Sequence, residues 1–373
     1  MGRLLTEKRR QFGIYEAALA SLLFIIYNFI FLQLYSFLPG SVRSNQIVYF
    51  LANFLLEFMF ALTAITVASA RRVKIKEASG MNKKVSGNLV FYCFLISIVC
   101  LIGFSQITTA FIEFLELLGY SSVLSNFVIN TFWQYLLYVL VSCITPAVCE
   151  ELLFRGVIAS GLKQFGFMVA LIVSSVIFTL MHGNAEQTVH QFIIGIVVGY
   201  IFLKTGNLWL GVLIHFFNNF ISITEYYILI TISKNSGSSI LDETVSSSSM
   251  SPWVQFIIDL VVALIFAGIA FLLVRNLIRN LIKENDKVNS NNAENANAQI
   301  VVDGKEEQTV MMIDGKVVDQ QTAEEKNVSE TLTQSASKDE KKVSAPVIVL
   351  FSLSFAYLAF DWLLSLLKGF GVV

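Results

Sequence analysis

Nine long apolar runs recur along the chain, and their lengths restrict the fold more than any other feature. A transmembrane helix needs about 20 apolar residues to cross a hydrocarbon core of about 30 Å. The runs are Ala17–Leu38, Ile47–Ala70, Leu89–Leu118, Phe132–Ile158, Phe167–Met181, Phe192–Leu203, Leu208–Ser233, Trp253–Val274 and Pro346–Leu367. The fifth and sixth are short, so either could be tilted, re-entrant or merged with a neighbour. We therefore predict an all-α, polytopic transmembrane bundle of about eight to nine spans.

Composition and charge placement agree with this architecture. Of 373 residues, 55% are hydrophobic and 14% charged, which excludes an ordinary soluble domain. Lys and Arg cluster before the first run and after the second, fourth, sixth and eighth. Because basic loops stay on the cytoplasmic side, we expect a cytoplasmic N-terminus in the cell (plasma) membrane. The bilayer is the expected environment. The net charge of −1 points to no nucleic-acid partner, and the sequence indicates no oligomeric state.

An acidic pair, Glu150 and Glu151, lies near the end of the fourth run, with Arg155 one helical turn later. An ionised group at a helix centre costs roughly 2.5 to 3.5 kcal/mol, so such a pair indicates function. On a helix, Glu151 and Arg155 share a face, whereas Glu150 points about 100° away. We predict that Arg155 neutralises Glu151 and that Glu150 faces a cavity as a general base. Pro146, one turn earlier, should kink this helix because it removes the hydrogen bond to the Ser142 carbonyl.

Two histidines lie in other apolar runs. His182 follows Phe178 by one turn, and Asn219 follows His215 by one turn, so each pair shares a helix face. We predict that Phe178 packs beneath His182 and fixes its ring. His190 lies in the polar stretch 183–191, which we interpret as a loop.

Glu57 is the acidic residue of the second run. A structural hydrogen bond to a neighbouring helix is the interpretation we prefer for it over a catalytic role.

These motifs together resemble one protein family. The segments are Glu150-Glu151-Leu152-Leu153-Phe154-Arg155-Gly156, Ser174 through Phe178 to His182, Gly195 through Gly199 to Leu208, and His215-Phe216-Phe217-Asn218-Asn219. Their order, spacing and helical context are similar to the CAAX protease and bacteriocin-processing (CPBP, Abi) family of intramembrane endopeptidases. The resemblance covers about residues 131–226 and implies a catalytic core formed by the fourth to seventh spans.

The resemblance implies a glutamate-dependent proteolytic site. Glu150 and His182 would activate water, while His215 and Asn219 would hold the oxyanion, supported by Glu151, Arg155 and Phe178. No cofactor is then required. An alternative is a Zn²⁺ site with Glu150, His182 and His215 as ligands and water in an open position. Because the chain has no His-Glu-x-x-His helix, we prefer the metal-free version.

The substrate would be a membrane-associated peptide or protein, either of CAAX type or a peptide precursor. A non-proteolytic membrane adaptor or bacteriocin-immunity protein, using the same polar cavity for binding, is the main alternative function. A transporter is a third, but the chain shows no internal repeat of interrupted helices.

Outside this core we expect four further regions. They are the N-terminal spans (1–130), an outer Ser-rich loop with the eighth span (227–283), a polar cytosolic insert (284–344) and a C-terminal span (345–373). Low hydrophobicity predicts disorder in the insert. Asp303-Gly304 and Asp314-Gly315, each after an apolar pair, are nevertheless typical of a hairpin turn.

Overall fold

The computed structural model describes residues 11–122, 129–236, 250–302, 311–313, 316–318 and 344–372. Within these ranges, one long helix forms at each predicted apolar run. The helices are α1 (Ile14–Ser36), α2 (Gln46–Ala70), α3 (Gly87–Leu117), α4 (Phe132–Phe165), α5 (Phe167–Leu180), α6 (Thr188–Thr205), α7 (Leu208–Ser236), α8 (Pro252–Val302) and α9 (Ala345–Gly369). Single helical turns, Gly40–Arg43 and Ile75–Ala78, precede α2 and α3.

The protein is an all-α integral membrane protein. Seven of the nine described long helices are long and apolar enough to cross a bilayer. Helices α5 and α7 do not meet both of these criteria. Helix α5 has only 14 residues. Helix α7 has the length, but it carries His215, Asn218 and Asn219 among its apolar residues. The predicted count of about eight to nine spans is thus approximate, because it included these two helices.

Helix α4 lies at the centre of the bundle. In its most apolar stretch 61% of residues are buried, compared with 17% in α8 and α9. Leu153, Phe154, Val157 and Ile158 are fully enclosed. Helices α1, α2, α5, α6 and α7 all pack against α4. Any side chain on the middle of α4 is therefore shielded from lipid on most sides.

The backbone of α4 departs from regular α-helix on both sides of Pro146. Two stretches, Val139–Ile144 and Leu152–Ala159, have wider π-helical turns. Pro146 has no N–H, so the Ser142 carbonyl loses its usual helical donor. Asn219 replaces it, because its Nδ2 donates to the Ser142 oxygen at 3.0 Å. The predicted irregularity is present, and a site residue from α7 satisfies the freed carbonyl.

Helix α8 extends well beyond its apolar part. It runs alongside α3 and continues through Glu284 to Val302. The prediction of disorder from Glu284 onwards is therefore wrong for residues 284–302. Extending an existing helix adds one hydrogen bond for each residue fixed, so a polar segment can continue a helix that the span has already nucleated.

A small hairpin lies in the polar region after α8. Strand β1 (Met311–Ile313) pairs antiparallel with β2 (Lys316–Val318), and Ile313 is opposite Lys316. This is the hairpin predicted at Asp314-Gly315. The Asp303-Gly304 turn and the rest of the expected disordered segment, 319–343, lie outside the described residues.

Candidate active site

A buried network of charged groups lies at the centre of α4. Arg155 Nη1 donates to Glu151 Oε1 at 2.9 Å, so the ion pair predicted from the sequence is present. Arg155 Nη2 donates to the Gly195 carbonyl of α6 at 3.1 Å. Both side chains are almost completely buried, at 1% and 0% exposed. The pair therefore joins α4 to α6 in a place that water does not reach.

Glu151 has a second partner that the sequence did not indicate. The same oxygen, Oε1, lies 3.0 Å from His215 Nδ1 on α7. Because a carboxylate that already accepts from Arg155 can only accept again, Nδ1 carries the proton and donates. This contact leaves His215 Nε2 pointing away from Glu151.

Phe178 lies fully buried between both histidines and the arginine. Its ring packs edge-on against His182, with ring centroids 4.9 Å apart, and against His215 at 5.9 Å. The Arg155 guanidinium lies over the same ring at 4.6 Å. One aromatic side chain thus fixes the positions of three polar ones.

His182 is oriented by the backbone of its own helix. Its Nδ1 lies 2.8 Å from the Phe178 carbonyl oxygen. A carbonyl only accepts, so Nδ1 is the protonated nitrogen and Nε2 retains its lone pair in the neutral ring. His182 is therefore held in the tautomer that a general base or a water-orienting group requires.

The short length of α5 explains how His182 reaches membrane depth. Fourteen residues rise only about 21 Å, less than the hydrocarbon thickness of about 30 Å. A helix of this length that starts where α4 ends therefore ends before it has crossed a bilayer. The chain turns back at Gly183, which has a φ of +55°. It then enters α6 at Thr188, so residues 181–187 form a loop at this depth.

The C-terminal helix α9 holds this loop in place. Trp362 Nε1 donates to Thr188 Oγ1 at 2.8 Å, and Ser365 Oγ accepts from the Ala185 backbone N–H at 3.4 Å. A Cβ at Gly183 would lie 2.7 Å from Asp361 Oδ2, so α9 approaches the loop too closely for a larger residue. Helix α9 lies outside residues 131–226, and its part in the site was not expected from the sequence.

We expect Trp362→Phe to lower turnover about tenfold or more while leaving the thermal midpoint nearly unchanged. The variant keeps the ring but removes the bond to Thr188, and small displacements of a catalytic group cost large factors in rate. Activity under saturating substrate and thermal unfolding in detergent measure the two effects. Trp253→Phe, at an exposed tryptophan of α8, is the control. Equal losses in both variants would contradict a positioning role for Trp362.

A polar cavity of about 340 Å³ lies between α3, α4, α6 and α7, and Glu150, His182 and His215 are not among its lining residues. Its lining includes Ser142, Glu186, His190, Asn218 and Asn219. Asn218 Nδ2 contacts His190 Nε2 at 3.0 Å and donates to Asn219 Oδ1 at 3.2 Å. The prediction that His190 lies in a loop is wrong, since α6 already begins at Thr188. Asn218 and Glu186 were missed, although Asn218 precedes Asn219 in an apolar helix.

Glu186 forms the outer wall of this cavity. Its two oxygens accept hydrogen bonds from Tyr120 and Ser122, both at 3.1 Å. Burial raises the pKa of the Tyr120 hydroxyl to about 12, and the neighbouring Glu186 carboxylate adds to the rise. Tyr120 therefore remains a hydrogen-bond donor to Glu186 at neutral pH.

Glu150 lies on a different side of α4 from Glu151, as the helical spacing predicts. It is 5% exposed, and its Oε2 makes no hydrogen bond within the described part of the chain. Its carboxyl is in hydrogen-bond contact with that of Glu57 on α2. The neighbouring-helix bond expected for Glu57 is therefore made to Glu150 itself. Two carboxyl groups can share a hydrogen bond only when one of them carries the proton.

The histidines do not contact Glu150 directly. Among the described residues, the only ion pair between a histidine and a carboxylate is His215 with Glu151. A water-activating pair of Glu150 and His182 would thus need a water molecule between them. Such bridged arrangements are compatible with general-base catalysis, in which a base acts directly or through one water.

Glu150, His182 and His215 were the ligands of the alternative zinc site. Within the described ranges, no three His, Cys, Asp or Glu side chains are close enough together to hold a metal ion. Each of these two histidines has its Nδ1 engaged, by a carbonyl or by Glu151, which leaves Nε2 as the nitrogen that could face a metal or a water.

Comparisons with known proteins fall on the segment that carries these residues. Residues 131–221 match the model of a family described as "Type II CAAX prenyl endopeptidase Rce1-like". The chain is 28% identical over 91 residues to "Putative membrane peptidase YdiL" of Bacillus subtilis (strain 168). That alignment covers 24% of this chain and 37% of the relative. No solved structure matches the chain significantly. The family resemblance seen in the motifs is confirmed over this segment, and both matches are described as peptidases.

Proposed function

We propose that the protein is an intramembrane endopeptidase that hydrolyses peptide bonds of membrane-associated peptides or proteins. One observation carries the proposal. A buried glutamate with a free oxygen, Glu150, adjoins an Arg155–Glu151–His215 network, and His182 is held over the same aromatic ring as His215. Charged groups at this depth are costly, and a catalytic role accounts for their retention.

In the proposed reaction, Glu150 is the general base and His182 orients the water. The His182 Nε2 lone pair accepts one hydrogen of the water, and Glu150 removes the other proton as the water oxygen attacks the scissile carbonyl carbon. The resulting tetrahedral intermediate then breaks its C–N bond. Glu150 returns the proton to the departing amine nitrogen, so the reaction yields a carboxylic acid and an amine.

The oxyanion of the intermediate is stabilised by donors from α7. Asn219 uses one N–H for the Ser142 carbonyl, and its amide has a second N–H to offer. His215, whose Nδ1 faces Glu151, is the second donor in this proposal, and the role requires a proton on its Nε2 as well. Donors of this kind each contribute about 10² to 10³ in rate where water is scarce.

The polar cavity is the proposed site of the substrate backbone. Its amide and hydroxyl side chains can pair with peptide N–H and C=O groups that would otherwise be unsatisfied in the membrane. The description of the matching family supports CAAX-type processing, and peptide-precursor processing is the other substrate class that we propose.

Cleavage by the purified protein tests this function. The full chain in detergent is incubated with a peptide library, and new termini are identified by mass spectrometry. We expect cleavage by the wild type and none by His182→Ala. Glu113→Gln, which removes a carboxyl group from α3 outside the site, should retain the wild-type rate. Absence of cleavage by the wild type in detergent and in proteoliposomes would overturn the proposal.

Metal dependence is tested in the same assay. We propose that no metal takes part in the reaction, so we expect activity with less than one metal per chain and little effect of chelators. His215→Gln should keep a trace of turnover, since a neutral amide can still donate to an oxyanion. Stoichiometric zinc in the wild type that is lost on substituting either histidine, measured by elemental analysis, would show the metal version to be correct.

A further inference from the structure

A second, larger cavity lies away from the polar site. It has a volume of about 630 Å³ and lies between α3, α6 and α8. Apolar side chains form most of its wall, including Phe104, Phe192, Ile196, Tyr200, Phe271 and Ile278. Phe271 is 60% exposed, so the pocket opens to the surface of the bundle that faces the bilayer. Its size is in the range of pockets that enclose most of a ligand.

Two arginines interrupt this apolar wall. Arg275 and Arg279 lie one turn apart on the α8 face that lines the pocket. Both are exposed, and within the described ranges neither is joined to a carboxylate by an ion pair. A pair of cations beside an apolar pocket, with no anion from the protein, is electrostatically complementary to an anionic group.

The depth of the arginines can be estimated from the end of the bundle. Asn207, in the connection between α6 and α7, donates to Asn285 of α8 at 3.3 Å and to the Lys84 carbonyl at 3.2 Å. These contacts hold α8 where α6 ends and α3 and α7 begin. The apolar run of α8 ends earlier, at Val274, after enough residues to cross a hydrocarbon core. Arg275 and Arg279 directly follow that run, so their long side chains can reach the headgroup level.

We propose that this pocket binds an anionic phospholipid of the surrounding bilayer. The phosphate pairs with Arg275 and Arg279, and an acyl chain lies between the apolar residues of α6 and α8. The pocket is separate from the proposed catalytic residues, so the inference does not depend on proteolysis. Basic pockets between transmembrane helices on the cytoplasmic side are known binding sites for anionic headgroups.

The test compares two lipids on the purified full chain. Phosphatidylglycerol and phosphatidylcholine with the same acyl chains are titrated into the protein in detergent, and bound lipid is counted by native mass spectrometry. We expect the wild type to prefer phosphatidylglycerol. Arg275→Gln with Arg279→Gln should reduce that preference about 30-fold, at roughly 1 kcal/mol for each cation.

Two further variants separate the contributions of charge and shape. Lys283→Gln with Lys287→Gln removes two cations from the same helix outside the pocket and should leave the preference unchanged. Ile196→Trp fills the apolar part and should weaken the binding of both lipids. Equal binding of the two lipids by the wild type, or equal losses in the arginine and lysine variants, would overturn the proposal. If the protein is a dimer in detergent and binds neither lipid, the proposal is wrong and the pocket is instead an interface with a second copy of the chain.

Discussion

Glu150→Gln is expected to reduce proteolysis by about 10² to 10⁴-fold while leaving the protein folded in the membrane. Glutamine is nearly isosteric with glutamate but cannot take a proton from water, and general-base catalysis typically contributes this factor. Since the amide can still occupy the same space and donate to Glu57, the loss should fall on kcat with little change in KM. Steady-state cleavage of a defined peptide and thermal unfolding in detergent measure these quantities.

A control variant makes the Glu150 result specific. Glu113→Gln changes a carboxyl in another span and should behave as wild type. A Glu150→Gln variant that cleaves at the wild-type rate would contradict the assignment of the base. A membrane adaptor predicts the opposite pattern, since its cellular function would survive Glu150→Gln and depend only on the intact bundle.

Arg155→Ala is expected to be the most destabilising single change in the site. Removing one partner of a buried ion pair typically costs about 3 to 5 kcal/mol, because the remaining charge is left without compensation. Here the substitution would leave Glu151 with His215 alone and would free the Gly195 carbonyl. Activity should be lost as well, because the guanidinium also packs on Phe178.

A double-mutant cycle identifies the cause of this loss. If the uncompensated Glu151 charge is responsible, Glu151→Gln should recover part of the stability lost in Arg155→Ala, which makes the two changes non-additive. Arg155→Lys should be intermediate, since one ammonium cannot match both contacts of the planar guanidinium. Unchanged unfolding midpoints in Arg155→Ala, or strictly additive effects in the double variant, would contradict the ion-pair interpretation.

Local spacing in the sequence was sufficient to predict several features of the structure. The runs of apolar residues predicted where the nine long helices of the described part of the chain lie, because membrane thickness sets their length. The spacing of Glu151 and Arg155 predicted their pairing, since residues four apart share a helix face. Pro146 predicted the irregular backbone of α4 for an equally local reason.

Contacts between distant parts of the chain were not predictable in the same way. Glu57 is 93 residues from Glu150, and no spacing rule relates them. Trp362 contacts Thr188 across 174 residues, so the support that α9 gives to His182 depends on packing alone. The contact of His215 with Glu151 also joins two helices that are distant in sequence, so it too depends on packing. The sequence indicated which residues are costly to bury, but their partners follow from how the helices pack.

The central claim is that water, activated by Glu150, cleaves a peptide bond within the membrane. Cleavage of a defined peptide by the purified protein in H₂¹⁸O tests it most directly, with the product fragments weighed by mass spectrometry. We predict one ¹⁸O atom in each newly formed carboxyl terminus after a single cleavage by the wild type, and no such product from Glu150→Gln. Products that lack ¹⁸O, or labelled products formed equally fast by Glu150→Gln, would contradict the mechanism.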